Sequence, residues 1–408
     1  MSYYSAVYQN TNVLSTKKRY FKLQKEFEKF FGACPQRFFS SPGRCELLGN
    51  HTDHNNGKVL VAAITYDIIA AASPNGGSSI TLLDPRGILK VDISHLEKIN
   101  EEEGSSLALI RGVCAYFKDK GFNFGGFDCA LNSALPSGSG LSSSAAFELL
   151  IAQVLSSLFN GDSISPLEKA KAGKFAENVY FNKPCGLLDQ CGVALGGVTY
   201  IDFKNVQSPQ ILNAKLNLKK NAALIVKTQE DHSNLTEHYG QIKEDMRLIA
   251  QKFNKQYLGE VSEGEFYKYF NAQKTQTLPL TRAYHFFEEN KRVLRAYEAL
   301  CGKDSAAFFE QVKDSGLSSR YCLKNCALPN EDHSPVEQIL DYAQNLDKSS
   351  AVRVHGGGFR GGVLIFTSKE YAKIIKQKYG KNCLALRFRQ KGACEVKLAE
   401  LFPKEVNI

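Results

Sequence analysis

Residues 136–148 read Pro136-Ser-Gly-Ser-Gly-Leu-Ser-Ser-Ser-Ala-Ala-Phe-Glu148, and no other stretch constrains the fold so tightly. A strand-like segment, 125–134, runs into this loop and a helix-forming segment, 142–159, leaves it. Gly138 and Gly140 let the main chain turn through positive φ and approach a ligand closely. The first N–H groups of the following helix lack intrahelical partners, and the helix dipole favours an anion beside them. Ser142, Ser143 and Ser144 add hydroxyls suited to phosphate oxygens or to a magnesium ion. The same composition also suits a Gly/Ser turn capping an ordinary helix. It is neither a Walker A loop, since no Gly-Lys-Ser/Thr follows, nor a Rossmann turn, since the third glycine is missing.

Two further segments are polar in an unusual way. Ser41–Gly57 crowds a guanidinium (Arg44), two imidazoles (His51, His54), a carboxylate (Asp53) and three amides (Asn50, Asn55, Asn56) into one turn-rich run between apolar strands. Turn preference accounts for Asn and Gly, but a core does not tolerate so many polar groups without partners. A hydroxyl-rich ligand would supply those partners. In Arg353–Gly362, three glycines, Gly356 to Gly358, precede the strand-like run Val363–Phe366; they permit close backbone approach, or simply a bend.

Composition narrows the class. With 408 residues, 43% of them hydrophobic, the chain is long enough for two domains with separate cores. No apolar run approaches the roughly 18 residues of a membrane span, and the N-terminus lacks a signal-peptide core, so the expected location is cytoplasmic with no membrane partner. Eleven cysteines, an odd number without paired zinc spacing, read as reduced thiols, Cys322 and Cys326 coming nearest to a metal motif. The net charge of +9 is dispersed and lacks a basic block with interleaved aromatics. It suits solvated surface and attraction of an anionic nucleotide, not a nucleic acid partner.

Periodicity predicts an amphipathic helix at 15–31, strands at 58–73, 79–83 and 88–93, helices at 104–119 and 166–180, and a strand at 198–203. A second core begins near Ala222–Lys227. Helices are expected at 234–254, 280–300, 304–314 and 335–346, then strand 350–354, strand 362–367, helix 369–379 and strand 384–389.

Taken in order, the three polar segments resemble the three motifs of the GHMP small-molecule kinases, and Ser41–Gly57 resembles the galactokinase signature in particular. Gly186-Leu-Leu-Asp-Gln190 is similar to the segment in which galactokinases carry a catalytic aspartate, and weaker similarity includes Arg282–Glu289 and Ser315–Ser319. The resemblance implies an α+β fold of two domains. The N-terminal domain, 1–208, would be like domain 2 of ribosomal protein S5 and the C-terminal domain, 209–408, ferredoxin-like. It implies a monomer that transfers the γ-phosphoryl of ATP, with Mg2+, to the anomeric hydroxyl of a sugar.

Carried over residue by residue, Asp189 would take or orient the proton of that hydroxyl, and Arg44 would keep Asp189 ionised and offset developing charge. Asn50, His51 and Asp53 would line the sugar pocket, with Tyr239 at the place of a sugar-contacting tyrosine. Gly138, Ser139, Gly140, Leu141, Ser142, Ser143 and Ser144 would cradle the triphosphate, Ser144 also meeting magnesium. Gly356, Gly357, Gly358 and Phe359 would support the floor. Plainer roles exist for the key residues: Asp189 capping a turn, Arg44 pairing with a structural carboxylate, Tyr239 on a helix surface.

The departures matter too. Galactokinases usually read Gly-Glu-His-Thr-Asp-Tyr where this chain has Gly49-Asn-His-Thr-Asp-His54. An amide at 50 still bonds a hydroxyl and tolerates a carboxylate, and plant galacturonate kinases likewise have His for Tyr, so galacturonate stands as an alternative substrate. Galactose stays first because Asn-His-Thr-Asp is nearer the galactokinase form; N-acetylgalactosamine is third. A catalytically silent sugar sensor is the reading from another class, against which Ser142 to Ser144 are intact. Arg360 stands where a glycine is usual.

Overall fold

In this computed structural model the described residues are 2–9, 11–136, 140–228, 235–329, 331–332 and 334–402; Gly138 and Ser139, expected in the phosphate loop, lie outside them. The strands are β1 (Arg37–Leu48), β2 (Lys58–Pro74), β3 (Ser79–Asp84), β4 (Gly87–Asp92), β5 (Phe127–Ser133), β6 (Val198–Asp202), β7 (Gln210–Ala214), β8 (Asn221–Lys227), β9 (Ala351–His355), β10 (Gly362–Ser368), β11 (Cys383–Leu386) and β12 (Cys394–Val396).

A long, nearly continuous apolar run makes β2 the spine of the larger sheet, because only a strand covered on both faces can bury it. It pairs with β1, β5 and β6, and the sheet runs β12-β1-β2-β5-β3-β4 with β6 and β7 branching from β2. Helix Ser143–Asn160 is apolar almost all round and is buried along most of its length between β1, β2 and the helices Pro166–Phe175 and Leu188–Leu195. That packing fixes its N-terminus beside β1.

The smaller sheet, β11-β8-β10-β9, is antiparallel throughout. Its strands follow one another in the βαββαβ order of a ferredoxin-like unit, with helices inserted between β8 and β9. Helix Leu278–Cys301 packs on the larger sheet, touching β1, β2, β6 and β7, and helix Ser305–Ser318 joins it to β9 of the smaller sheet. The chain then crosses back: Arg389 N–H donates to the Ala63 carbonyl at 2.9 Å, and β12 adds to the free edge of β1. The crossing is so close that a methyl group on Gly196 would lie 2.3 Å from the Gly392 nitrogen.

Most expected elements are present within a few residues. The first polar segment differs: Ser41 to Leu48 is the second half of β1, not a turn, and it is buried on both faces. Pro42 is accommodated by a bulge between Pro42 and Arg44. The expected strand at 384–389 stops at Leu386, because Arg387 to Arg389 pair with β2 of the larger sheet. The helix expected over 166–180 ends at Phe175 and continues as a π-turn to Tyr180. Periodicity did not reveal β7, β12 or helices Tyr3–Tyr8, Leu188–Leu195 and Glu263–Ala272, all short.

One buried charge ties the ends of the chain together. Asp67 accepts from Arg19 at 2.8 Å, Tyr8 at 2.7 Å and Ser40 at 2.6 Å, with Arg389 3.9 Å away. Burial opposes its charge, but Arg19, Arg389 and the Ser40 hydroxyl outweigh it and hold the carboxyl below its usual value. Asp67→Ala should therefore cost about 3–5 kcal/mol in urea unfolding, since Arg389 is left buried without a counter-charge. In the wild type this contribution is present above the unfolded carboxylate pKa and should be lost as pH falls below about 4.

Candidate active site

Arg44 and Glu46 alternate with apolar neighbours on β1, so both side chains leave the same face of the strand. Arg44 is almost fully covered, its side chain 6% exposed, and all three of its donor nitrogens are engaged. Nε and Nη2 reach Asp189 Oδ1 at 2.8 and 2.7 Å, and Nη1 reaches the Gly140 carbonyl at 2.6 Å. Its backbone N–H also donates to the Leu141 carbonyl at 3.2 Å. One residue thus clamps the phosphate-loop segment to the segment carrying Asp189.

Asp189 lies in the first turn of helix Leu188–Leu195 and accepts from the Ser142 hydroxyl at 2.5 Å. Burial works against its charge, but Arg44, the Ser142 bond and Lys183 prevail and hold the carboxyl below its usual value. Ser142 has φ 57, in the left-handed region, and its hydroxyl does not cap the following helix. Ser144 donates to Glu177 at 3.1 Å. A cavity of about 260 Å³ is walled here by Arg44, Gly140, Ser142 to Ser144, Lys183, Asp189 and His355.

A second cavity, of about 420 Å³, adjoins it and shares Arg44, Lys183, Asp189, Tyr239, Gly356 and Gly357 with it. Its remaining walls include Glu46, Asn50, His51, Asp53, His54 and Lys243. Among the described residues the Asp53 carboxylate has one bond, from the Leu188 N–H at 3.3 Å. Burial, aided by the charge of Asp189, pushes its carboxyl up to about 6. Gly186 is required beside it, because a methyl group there would lie 1.7 Å from Asp53 Oδ2.

His51 has φ 58 and bonds the Gly357 carbonyl at 3.0 Å and His54 at 3.1 Å. Burial keeps both imidazoles below the usual histidine value. The carbonyl must accept from His51, so its Nε2 carries the proton and its Nδ1 accepts from His54. Tyr239, on helix Thr236–Gln251, packs on Phe359 with ring centroids 5.8 Å apart. A side chain at Gly357 would meet the Tyr239 ring at 2.4 Å.

Of the expected residues, those that are described are brought together, with three refinements. Asn50 reaches the wall of the second cavity, but its amide is spent on the protein: Nδ2 donates to Glu46 at 3.0 Å and the Gly356 carbonyl at 2.6 Å, and Oδ1 accepts from Asn325 at 2.8 Å and Ser319 at 3.3 Å. Much of the polarity of this motif is satisfied internally, Thr52 and Asn55 included, and needs no ligand. In the third motif Gly356 and Gly357 form the floor, whereas Gly358 abuts Asn325 and Phe359 is buried behind Tyr239. Arg360 pairs with Glu331 at 3.0 Å.

Sequence reasoning missed Glu46, Lys183, Glu177, Lys243 and His355. Lys183 carried a faint signal, a cation placed six residues before Asp189 in the same loop. His355 was inside the third motif; its Nε2 accepts from the Glu46 N–H at 3.1 Å, which puts its proton on Nδ1.

Residues 25–74 match the galactokinase galactose-binding signature, and residues 108–197 match the GHMP kinases N terminal domain. The galactokinase of Clostridium tetani (strain Massachusetts / E88) is 30% identical over 366 residues, covering 88% of this chain and 91% of its own. The chain belongs to the galactokinase family. A second family relative, the galactokinase of Limosilactobacillus reuteri (strain DSM 20016), is 27% identical over 87% of this chain and 92% of its own. Among solved structures, Lactococcus lactis galactokinase complexed with galactose superposes with a TM-score of 0.80 at 24% identity, covering 94% of this chain and 100% of that one. Methanococcus jannaschii mevalonate kinase gives 0.61 at 16% identity, over 86% and 98%. The galactokinase-family chain thus has the GHMP kinase fold.

Asp53 yields a signed test. A carboxyl raised in the fold contributes most below its unfolded value and loses that contribution as pH rises through about 6. Asp53→Asn should raise the Tm of the ligand-free protein by a few °C at pH 8, and the gain should vanish near pH 4, as read by scanning calorimetry.

Proposed function

We propose that this protein transfers the γ-phosphoryl group of ATP to the anomeric hydroxyl of galactose, giving galactose 1-phosphate and ADP. The observation that carries the reading is the position of the Arg44–Asp189 pair at the junction of the two cavities. One cavity is ringed by loop backbone, serine hydroxyls and a helix N-terminus, the chemistry of a polyphosphate site. The other is lined by the galactose-binding signature. The names of the relatives, and the galactose in the Lactococcus lactis structure, support the choice of sugar.

Transfer needs an aligned hydroxyl, charge neutralisation and a proton acceptor. Asp189, held ionised, orients the sugar hydroxyl and takes its proton as the new O–P bond forms. A carboxylate held below its usual value is a weak base before bond formation, so its main work is alignment. Arg44 places fixed positive charge beside the reacting oxygens, and Lys183, which lines the same cavity, adds a second cation. Asp53 and Tyr239 contact the sugar, Asp53 in its ionised form. Gly140, Leu141 and Ser142 to Ser144 cradle the triphosphate.

Among the described residues no group of three or more His, Cys, Asp or Glu side chains could hold a metal ion. The oxygen donors nonetheless suit magnesium, which takes one or two protein ligands beside substrate phosphates. Glu177 is buried and touches Ser144, and the Lys183 ammonium lies 2.7 Å from it, in the place of a cation. Ser144 and Glu177 would hold the ion, and when bound it would neutralise phosphate charge. No helix of the described residues is long and apolar enough to cross a membrane. We place the protein in the cytoplasm, as a monomer whose domains divide near residues 208 and 209.

Purified protein with MgATP should release ADP in the presence of galactose, and a product phosphorylated at C1 should be seen by 31P and 13C NMR. Binding of both substrates without ADP release would overturn the reading in favour of a sensor. Asp189→Asn should lower kcat by about 10²–10⁴-fold while galactose still binds by calorimetry. Unchanged turnover would remove Asp189 from the chemistry.

A further inference from the structure

Asn50 has no polar capacity left for a ligand, yet the wall it belongs to still presents one. Glu46 is two residues beyond Arg44 on β1, lines the sugar cavity, and has a side chain 7% exposed. Its Oε1 takes both available bonds, from Arg353 Nη2 at 2.6 Å and from Asn50 Nδ2 at 3.0 Å. Among the described residues Oε2 accepts no hydrogen bond, and it is not among the sealed, unpartnered atoms. The rest of the carboxylate is thus clamped while one oxygen opens on the cavity.

We propose that Glu46, and not Asn50, is the residue that reads the far end of the sugar: its free oxygen accepts from the exocyclic hydroxyl, and its charge excludes hexuronates. Strand spacing places it there. Two residues along a strand span about 6.6 Å, comparable to the reach of a hexopyranose from its anomeric oxygen to its exocyclic carbon. With the anomeric hydroxyl at Asp189 and Arg44, the exocyclic group comes to Glu46.

A hydroxyl can donate to a carboxylate there; a uronate carboxylate meets like charge in a partly desolvated pocket. Arg353, 2.6 Å from Oε1, offsets part of this charge, but it is fully buried and is not part of the cavity wall, so a uronate there still faces an acceptor-only oxygen with no donor from Arg353. The amide at position 50 is a clamp that orients Glu46. Its exchange for a charged residue elsewhere in the family pattern is no guide to which acid this chain accepts.

The inference rests on the galactose kinase reading, and one experiment separates the two. Initial rates of ADP release are measured for the full chain with MgATP on galactose, 6-deoxygalactose and galacturonate, for wild type and Glu46→Gln. The wild type should favour galactose over each of the others by at least about 100-fold in kcat/KM. Glu46→Gln should narrow the galactose-to-galacturonate ratio by about tenfold or more, an effect that a merely structural role would not produce. Equal use of 6-deoxygalactose by the wild type, or an unchanged ratio in an active Glu46→Gln, would overturn the assignment. If the variant fails to fold, the wild-type comparison alone decides. A wild type inactive on galactose would defeat the underlying reading, and this inference with it.

Discussion

The site depends on a guanidinium that has no access to water. Arg353, on β9 of the smaller sheet, is completely buried and bonds Glu46 and the Leu47 carbonyl of β1 in the larger sheet. An unpaired charge in that position would cost several kcal/mol, so the smaller sheet docks only where β1 offers a carboxylate and free carbonyls. Once it is docked, Gly356 meets Asn50, Gly357 meets His51 and His355 meets the Glu46 N–H. Helix Leu278–Cys301 reinforces the joint: Glu289 accepts from the Gly49 N–H and from Arg292, and His285 donates to the Asn50 carbonyl.

That docking also sorts the carboxylates. Asp189 and Asp53 line one cavity and both are half-buried, yet one is held low and the other is raised to about 6. The difference is the distribution of counter-charge, since Arg44, Lys183 and the Ser142 hydroxyl all face Asp189, whereas Asp53 has a single N–H and the charge of its neighbour. Two acids with opposite perturbations suit the two roles proposed for them, alignment of the reacting hydroxyl and contact with the sugar ring.

Legibility followed sequence locality. Arg44, Asp53, Ser142 to Ser144, Asp189 and Gly356 to Gly357 belong to short runs whose glycines and polar residues are conspicuous by themselves, and all of them reach the two cavities. Glu46 and His355 sit inside the polar segments and Glu177 in a helix, but a satisfied buried group and a site residue look alike in all three places until partners are known. Asn50 shows the converse error. A polar residue in a motif invites a ligand, but its four bonds are made by residues as distant as Ser319, Asn325 and Gly356.

By itself the sequence determined the elements and the chemical inventory. Glycine placement made the loop ahead of helix Ser143–Asn160, apolar periodicity made the strands and long helices, and motif order identified the kinase resemblance. Those are local properties, set by φ preference and by the 2 and 3.6 residue periods. Tertiary structure decided which polar groups remain available to a ligand. It returned the C-terminus to β1 through β12, saturated Asn50 and left one oxygen of Glu46 facing the cavity. Availability depends on what partners a fold delivers from far along the chain, and no local pattern encodes that.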